Sequence, residues 1–241
     1  MKLYLLNLVK KISFPKLLLI AVIIRIVLVP LSFHSDLNTN LIWGRYAQEF
    51  GLKGYYDWLN FGNYALPEYP PLSTILFLFV RTIWSWLFGF FWWLNISFAY
   101  FPSKFIPWFE SEGQLSLYKI PGIIADLAIG YLIYKFVKRR SEFGGKVAAS
   151  FYLFNPAVIY LSSSWGQIES LVGFFALASF LALISRKYLK STISMVFSLM
   201  TKATMLPLLP IYFFEFFKTK PKFKQILIAT TVVIFVLAFA S

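Results

Sequence analysis

PPLSTILFLFVRTIWSWLFGFFWWLNISFAYF, residues 70–101, is the stretch whose reading decides the fold. Pro70-Pro71 opens it, and residues 72–101 are apolar over more than the roughly 20 residues that a helix needs to cross a bilayer. Taken alone, it reads as one spanning helix. It also carries Trp84, Trp86, Trp92 and Trp93, and tryptophan concentrates where membrane meets water. The basic residues around it decide between the two readings. Lys135, Lys138, Arg139, Arg140 and Lys146 form one cluster, Arg186, Lys187 and Lys190 a second, and Lys218, Lys220, Lys222 and Lys224 a third. All three belong on the inner side, because Lys and Arg accumulate in cytoplasmic loops. A single crossing by residues 72–101 would put the first cluster outside. The stretch is therefore expected to lie in the interface, or to dip in and return.

Working outward, Lys2, Lys10, Lys11 and Lys16 precede the apolar run 17–33 and place the N-terminus inside. That run is long and lacks a small-residue cleavage site, so it reads as a helix and not as a cleaved signal. Residues 35–115 hold Asp36, Glu49, Asp57, Glu68, Glu110 and Glu112 against Arg45, Lys53, Arg81 and Lys104, an acidic balance that fits a long first outer loop with interfacial helices. Further helices are expected at 116–137 inward, 147–163 outward and 170–185 inward. Residues 191–217 start and end beside inner clusters and are expected to form a hairpin of two short helices. Its break falls near Thr201-Lys202, with Pro207 and Pro210 on the returning arm. Residues 225–241 head outward and end without a flanking charge or aromatic anchor, so the chain is expected to be a fragment cut within its last membrane helix.

Composition agrees. Of 241 residues, 59% are hydrophobic, 21% aromatic and 14% charged, with mean hydropathy +0.69, where soluble domains run at about 25% charged. This excludes a soluble enzyme, a disordered tail and a disulfide scaffold. The absence of cysteine excludes thiolate chemistry and Cys-ligated metals. The net charge of +13 reads as loop asymmetry, because no basic stretch carries a nucleic-acid-binding motif. The expectation is an all-α, multi-pass integral membrane protein of about seven transmembrane or half-spanning helices, a single module over 1–241 with the N-terminus cytoplasmic.

The one histidine, His34, leaves no His-rich metal site and no Ser-His-Asp triad, and neither G-x-G-x-x-G nor G-x-x-x-x-G-K-[ST] occurs. What remains is polar residues near the outer ends of helices. Asp36, three residues past the first apolar run, is either an ordinary loop acid or a general base at the membrane boundary. Trp43 and Arg45 follow it, and then a stretch ending Glu68-Tyr69-Pro70-Pro71. Trp165-Gly166-Gln167-Ile168-Glu169 follows Asn155-Pro156, and in so short a loop Gln167 and Glu169 read as ligand or loop-fixing contacts. Charges also fall at membrane depth. Lys119 reads as snorkelling from a helix start, Asp126 needs a partner for which intramembrane Arg25 is the candidate, and Lys202 reads as a lone ammonium that must neutralise or find an anion such as a lipid phosphate.

Asp36 with Trp43, Tyr55-Tyr56 and then Tyr69-Pro70-Pro71-Leu72 resembles the first outer loop of the GT-C glycosyltransferases. Lys119-Ile120-Pro121 with Asp126, the Trp165-Gly166-Gln167 segment and Lys202 before Pro207 are similar in order to that superfamily over residues 25–217. The motif order is nearest to the dolichyl-phosphate-glucose-dependent glucosyltransferases of the asparagine-linked glycan pathway and their bacterial relatives, and a prokaryotic cell membrane is the expected location. The resemblance implies a polyprenyl-phosphate sugar (glucosyl or mannosyl) as donor and a glycan, lipid or protein hydroxyl as acceptor. It also implies Asp36 as the base and in-line attack with inversion. Tyr69, Trp43, Gln167 and Glu169 would line the substrate, and Lys202 or Arg45 would meet the leaving phosphate in place of a metal, so no cofactor is expected. The alternative is a non-catalytic lipid or solute transporter, in which broken helices and intramembrane charges also occur.

Overall fold

The structure is a computed structural model describing residues 9–56 and 66–240, so Lys2 and Asp57 of the charges above lie outside the described residues. Among the described residues every regular element is helical. In chain order they are α1 (Phe14–Leu28), α2 (Ser35–Gly54), α3 (Pro71–Ser97), α4 (Phe105–Trp108), α5 (Gln114–Val137), α6 (Glu142–Leu153), α7 (Pro156–Ile159), α8 (Glu169–Ile184), α9 (Tyr188–Thr201), α10 (Leu209–Lys218) and α11 (Phe223–Ala240). A π-turn at Phe109–Gly113 joins α4 to α5, another at Tyr160–Trp165 follows α7, and a 3-10 turn at Ala203–Leu208 joins α9 to α10. Two runs, Pro71–Ser97 and Phe105–Val137, are long and apolar enough to cross a membrane.

The expected lengths need correction elsewhere. α1 has 15 residues, about 22 Å at 1.5 Å per residue, short of the roughly 30 Å hydrocarbon core. It stops before Pro30, which cannot continue a helix. The span expected at 147–163 is three pieces. Asn155 accepts a hydrogen bond from the Ala157 amide at 2.9 Å with Pro156 next, a start signal that interrupts the helix. The hairpin expected at 191–217 is present, with its break at Lys202 in extended conformation.

The deciding stretch forms one continuous helix of 27 residues, opened by Pro71 in the first turn. A dip-and-return within it is thereby overturned, since no proline interrupts the run after Pro71 and Gly89 stays helical. The chain reverses after Ser97. The Trp84 indole donates to the Phe109 carbonyl at 3.2 Å, Phe91 meets Phe105 and Phe109 edge-on, and the Tyr118 hydroxyl donates to the Phe77 carbonyl at 3.3 Å. These contacts join residues 77–91 to 105–118. Trp86, Phe90 and Trp93, spaced four and three residues apart, stay exposed along one stripe of α3.

α1 and α5 run antiparallel. Phe14 stacks on Tyr134 with centroids 3.8 Å apart, and in the last turn of α1 Arg25 meets Asp126 at 3.3 Å with both side chains fully buried. At the end of α1, Lys119 donates to the carbonyls of Val29, at 2.7 Å, and of Ser32. Lys119 is 1% exposed, so the snorkelling expectation is corrected. Its ammonium is held by carbonyls that the end of α1 leaves without amide donors, over the Phe33 ring at 4.5 Å. The expected partnership of Arg25 with Asp126 is met. Asp126 also accepts from Tyr152 at 3.0 Å and Ser170 at 2.6 Å, and Arg25 donates to the carbonyls of Ala21 and Leu153. Each guanidinium nitrogen and each carboxylate oxygen of the pair thus has a hydrogen-bond partner.

Candidate functional site

Four separate segments converge where α1 ends: the start of α2, the segment before α3, the loop before α8, and the break after α9. The apolar cluster beneath them comprises Leu37, Trp43, Ala47, Tyr55, Phe77, Val80, Tyr118 and Ile168. Its burial brings the polar residues around it together.

Asp36 lies in the first turn of α2, capped by His34, whose Nδ1 lies 3.3 Å from the Asp36 amide. Asp36 Oδ2 accepts from the Trp165 indole at 2.9 Å and from the Gln167 amide at 2.6 Å, across 129 and 131 residues of chain. The other oxygen, Oδ1, is 3.2 Å from His34 Nδ1, and the carboxylate side chain stays 46% exposed. The His34 ring lies against Trp165 with centroids 4.5 Å apart. One oxygen is thus anchored by two donors while the other lies beside His34 Nδ1. His34 Nδ1 can accept from the Asp36 amide or, when protonated, donate to Oδ1, but not both.

Two glycines make this approach possible. Gly166 has φ +81°, and a Cβ there would fall 2.4 Å from Leu37 Cδ2. A Cβ on Gly122 of α5 would fall 2.9 Å from the Gln167 carbonyl oxygen. Gly166→Ala is therefore expected to destabilise the chain by at least about 1–2 kcal/mol for the left-handed conformation alone, with the Leu37 collision added. Gly173→Ala, whose new Cβ would meet Ile129 at an ordinary 3.6 Å, is the control. Thermal midpoints of the two variants in one detergent check this, and equal midpoints would refute it.

Two residues beyond Gln167, Glu169 in the first turn of α8 pairs with Lys202. The Lys202 ammonium also lies 4.7 Å from the centre of the Tyr69 ring, and Tyr69 meets Trp43 edge-on at 5.1 Å. Lys202 is thus not the lone ammonium expected. Its carboxylate partner sits 33 residues earlier on a neighbouring helix. Glu169 Oε1 takes the ion pair, while Oε2 is buried without a partner. The Ser73 hydroxyl donates to the Thr201 carbonyl and so ties the start of α3 to the break.

Of the residues singled out from sequence, Asp36, Trp43, Tyr69, Gln167, Glu169 and Lys202 share this region. Gln167 and Glu169 act as loop-fixing contacts. Arg45 is set apart: it is exposed and stands about half a turn around α2 from Asp36, on the side where its charge acts on Arg81. Sequence reasoning gave His34 and Ser170 no role at this site, and quoted Tyr56 only as part of the Tyr55-Tyr56 pair. The Tyr56 hydroxyl contacts the Tyr69 carbonyl at 3.2 Å and Thr74 at 3.1 Å, and burial raises its pKa above the ordinary phenol value, so it stays a neutral donor. His34 carried a readable signal, standing just before a helix-opening Ser-Asp. Among the described residues no three His, Asp or Glu side chains are grouped to hold a metal ion. Compared with family models, curated proteins and solved structures, the chain matches none.

Proposed function

We propose that the chain is a multi-pass membrane glycosyltransferase of GT-C type, transferring a hexose from a polyprenyl-phosphate donor to a hydroxyl acceptor on the outer side of the membrane, with inversion. The observation that carries the reading is the convergence of Asp36, held through one oxygen by Trp165 and Gln167, with Lys202 on the same apolar cluster. In this reading Asp36 Oδ1, the oxygen beside His34, takes the proton of the acceptor hydroxyl. The acceptor oxygen then bonds to the anomeric carbon as the bond from that carbon to the phosphate oxygen breaks. The electron pair leaves with polyprenyl phosphate, and a fixed cation meets the charge developing there. Glu169 uses part of the Lys202 ammonium, which has three donors, and orients the rest. Tyr69 and Trp43 offer aromatic surface for the sugar.

Incubating membranes that contain the chain with radiolabelled polyprenyl-phosphate glucose or mannose, and separating labelled product, tests the reading. Absence of transfer with either sugar, from well-folded protein, would count against it. Lys202→Ala is expected to weaken donor binding by about 1.5–3 kcal/mol, roughly 10- to 150-fold, measured as donor affinity. Unchanged affinity would leave Lys202 as a partner of Glu169 alone. The extended break at Lys202 also favours the transporter alternative. Uptake of the labelled compound into vesicles without chemical change would select it.

The membrane placement belongs to the same proposal: N-terminus and the turn after α10 on the cytoplasmic side, α3 along the outer interface, in the cell membrane of a prokaryote. Supporting it are the exposed Trp86, Phe90 and Trp93 stripe and the contacts of α3 with 105–118, past the end of α1. Because the chain has no cysteine, single cysteines at Glu68 and Thr219 report sidedness. An impermeant maleimide applied to intact cells is expected to label the first and spare the second, and the reverse would overturn the topology.

A further inference from the structure

Far along the chain from Asp36, two tight turns face each other. One follows α8 and has Arg186 at φ 54°, and the other follows α10 and has Lys220 at φ 53°. The buried Tyr188 binds them together. Its hydroxyl donates to the Thr219 carbonyl at 3.1 Å, and its ring meets Phe216 edge-on at 5.5 Å. Beside this junction, between the starts of α9 and α11, lies a cavity of about 300 Å³ lined by Lys187, Tyr188, Leu189, Lys190, Gln225 and Ile228. That volume sits at the lower end of small-molecule sites.

The charge around it is one-sided. Arg186, Lys187, Lys190, Lys218, Lys220, Lys222 and Lys224 are all exposed, and the acidic side chain among the two turns, Glu215, is taken by Lys218 at 3.1 Å. Cations this close lie within a Debye length of one another and repel, and an anion seated among them relieves that repulsion. Loop asymmetry accounts for the number of lysines in such turns. It does not account for two turns pinned around a cavity.

The lining has two characters. Lys187 and Lys190 supply charge, while Leu189 (47% exposed) and Ile228 (37%) supply an apolar wall that continues onto Leu227 (56%). A free phosphate has no use for that wall, whereas a phospholipid has both a phosphate and acyl chains. We infer that this cavity binds the phosphate headgroup of an anionic phospholipid, with Lys187 and Lys190 on the phosphate and an acyl chain along Leu189 and Ile228. Basic pockets between membrane helices take such headgroups on the same physical grounds.

The full chain, purified in a mild detergent, is to be titrated with phosphatidylglycerol or with phosphatidylcholine of the same acyl chains, and bound lipid counted by native mass spectrometry. The wild-type chain is expected to prefer phosphatidylglycerol by at least about tenfold. Lys187→Gln/Lys190→Gln is expected to lose that preference, Lys187→Arg/Lys190→Arg to keep it, and Lys138→Gln/Arg139→Gln, which removes the same charge elsewhere, to leave it intact. Ile228→Gln, which keeps every cation, is expected to weaken both lipids. Equal loss from the Lys138/Arg139 variant would reduce the effect to diffuse charge and overturn the site. Displacement of the lipid by glycerol phosphate as effectively as by phosphatidylglycerol would make it a free-phosphate site and overturn the lipid assignment.

Discussion

Asp36→Asn is expected to leave a folded protein that still binds the lipid-linked donor and to lower sugar transfer by at least about 100-fold. The size follows from general-base catalysis, which typically contributes 10²–10⁴-fold. The asparagine oxygen can still accept from Trp165 and Gln167, so the loop before α8 keeps its anchor. What disappears is the second carboxylate oxygen, the one beside His34. Glu49 and Glu68, both exposed, are the controls, and Glu→Gln at either should leave transfer unchanged. Near-normal turnover by Asp36→Asn beside a dead Glu49 or Glu68 variant would move the base elsewhere. Normal turnover by all of them would reduce Asp36 to a helix-end acid.

The largest stability effect is expected at the buried ion pair. Arg25 and Asp126 are each 0% exposed, and removing one partner of such a pair costs about 3–5 kcal/mol because the other charge stays buried without compensation. Asp126→Leu leaves the Arg25 guanidinium with only the Ala21 and Leu153 carbonyls. It should show as a large fall in thermal midpoint and in the monodisperse fraction after detergent extraction. Arg25→Met combined with Asp126→Leu should recover most of the loss, since an apolar pair of similar volume has no ion to desolvate. A single variant as stable as the parent chain would mean that the pair contributes nothing. A double variant worse than both singles would mean that the Tyr152 and Ser170 hydroxyls on Asp126 matter more than the charge.

That pairing was legible in the sequence because cost alone forces it: a cation set among apolar residues needs an anion, and few are available. The break at Thr201-Lys202 was legible for a similar reason, with Pro207 and Pro210 close behind. Lys202 itself was misread. Its neighbours in sequence are apolar, and nothing local says that Glu169, on another helix, comes alongside. Lys119 was misread because its fate depends on where α1 ends and which carbonyls that end leaves bare, a matter of tertiary register. The Asn155-Pro156 interruption was visible as residue types, but the apolar run on both sides outweighed it. Asp36, Gln167 and Glu169 could be picked out as polar residues in odd places. That Gln167 and Glu169 serve different partners two residues apart is a fact of packing on Leu37 and Ile168.

The buried pair also has a consequence for how the chain is made. Arg25 and Asp126 are 101 residues apart, and a ribosome adds about 5–20 residues per second. In the membrane placement proposed above, α1 is therefore in place for roughly 5–20 s before its counter-charge is even synthesised. Arg25 lies in the last turn of α1, so leaving it unpaired over that interval costs at most the roughly 2.5–3.5 kcal/mol of an arginine at the centre of a membrane helix. α1 should accordingly linger at the insertion machinery until α5 arrives, and a nascent chain stalled just short of Asp126 should crosslink to that machinery through α1 far more than one stalled after it.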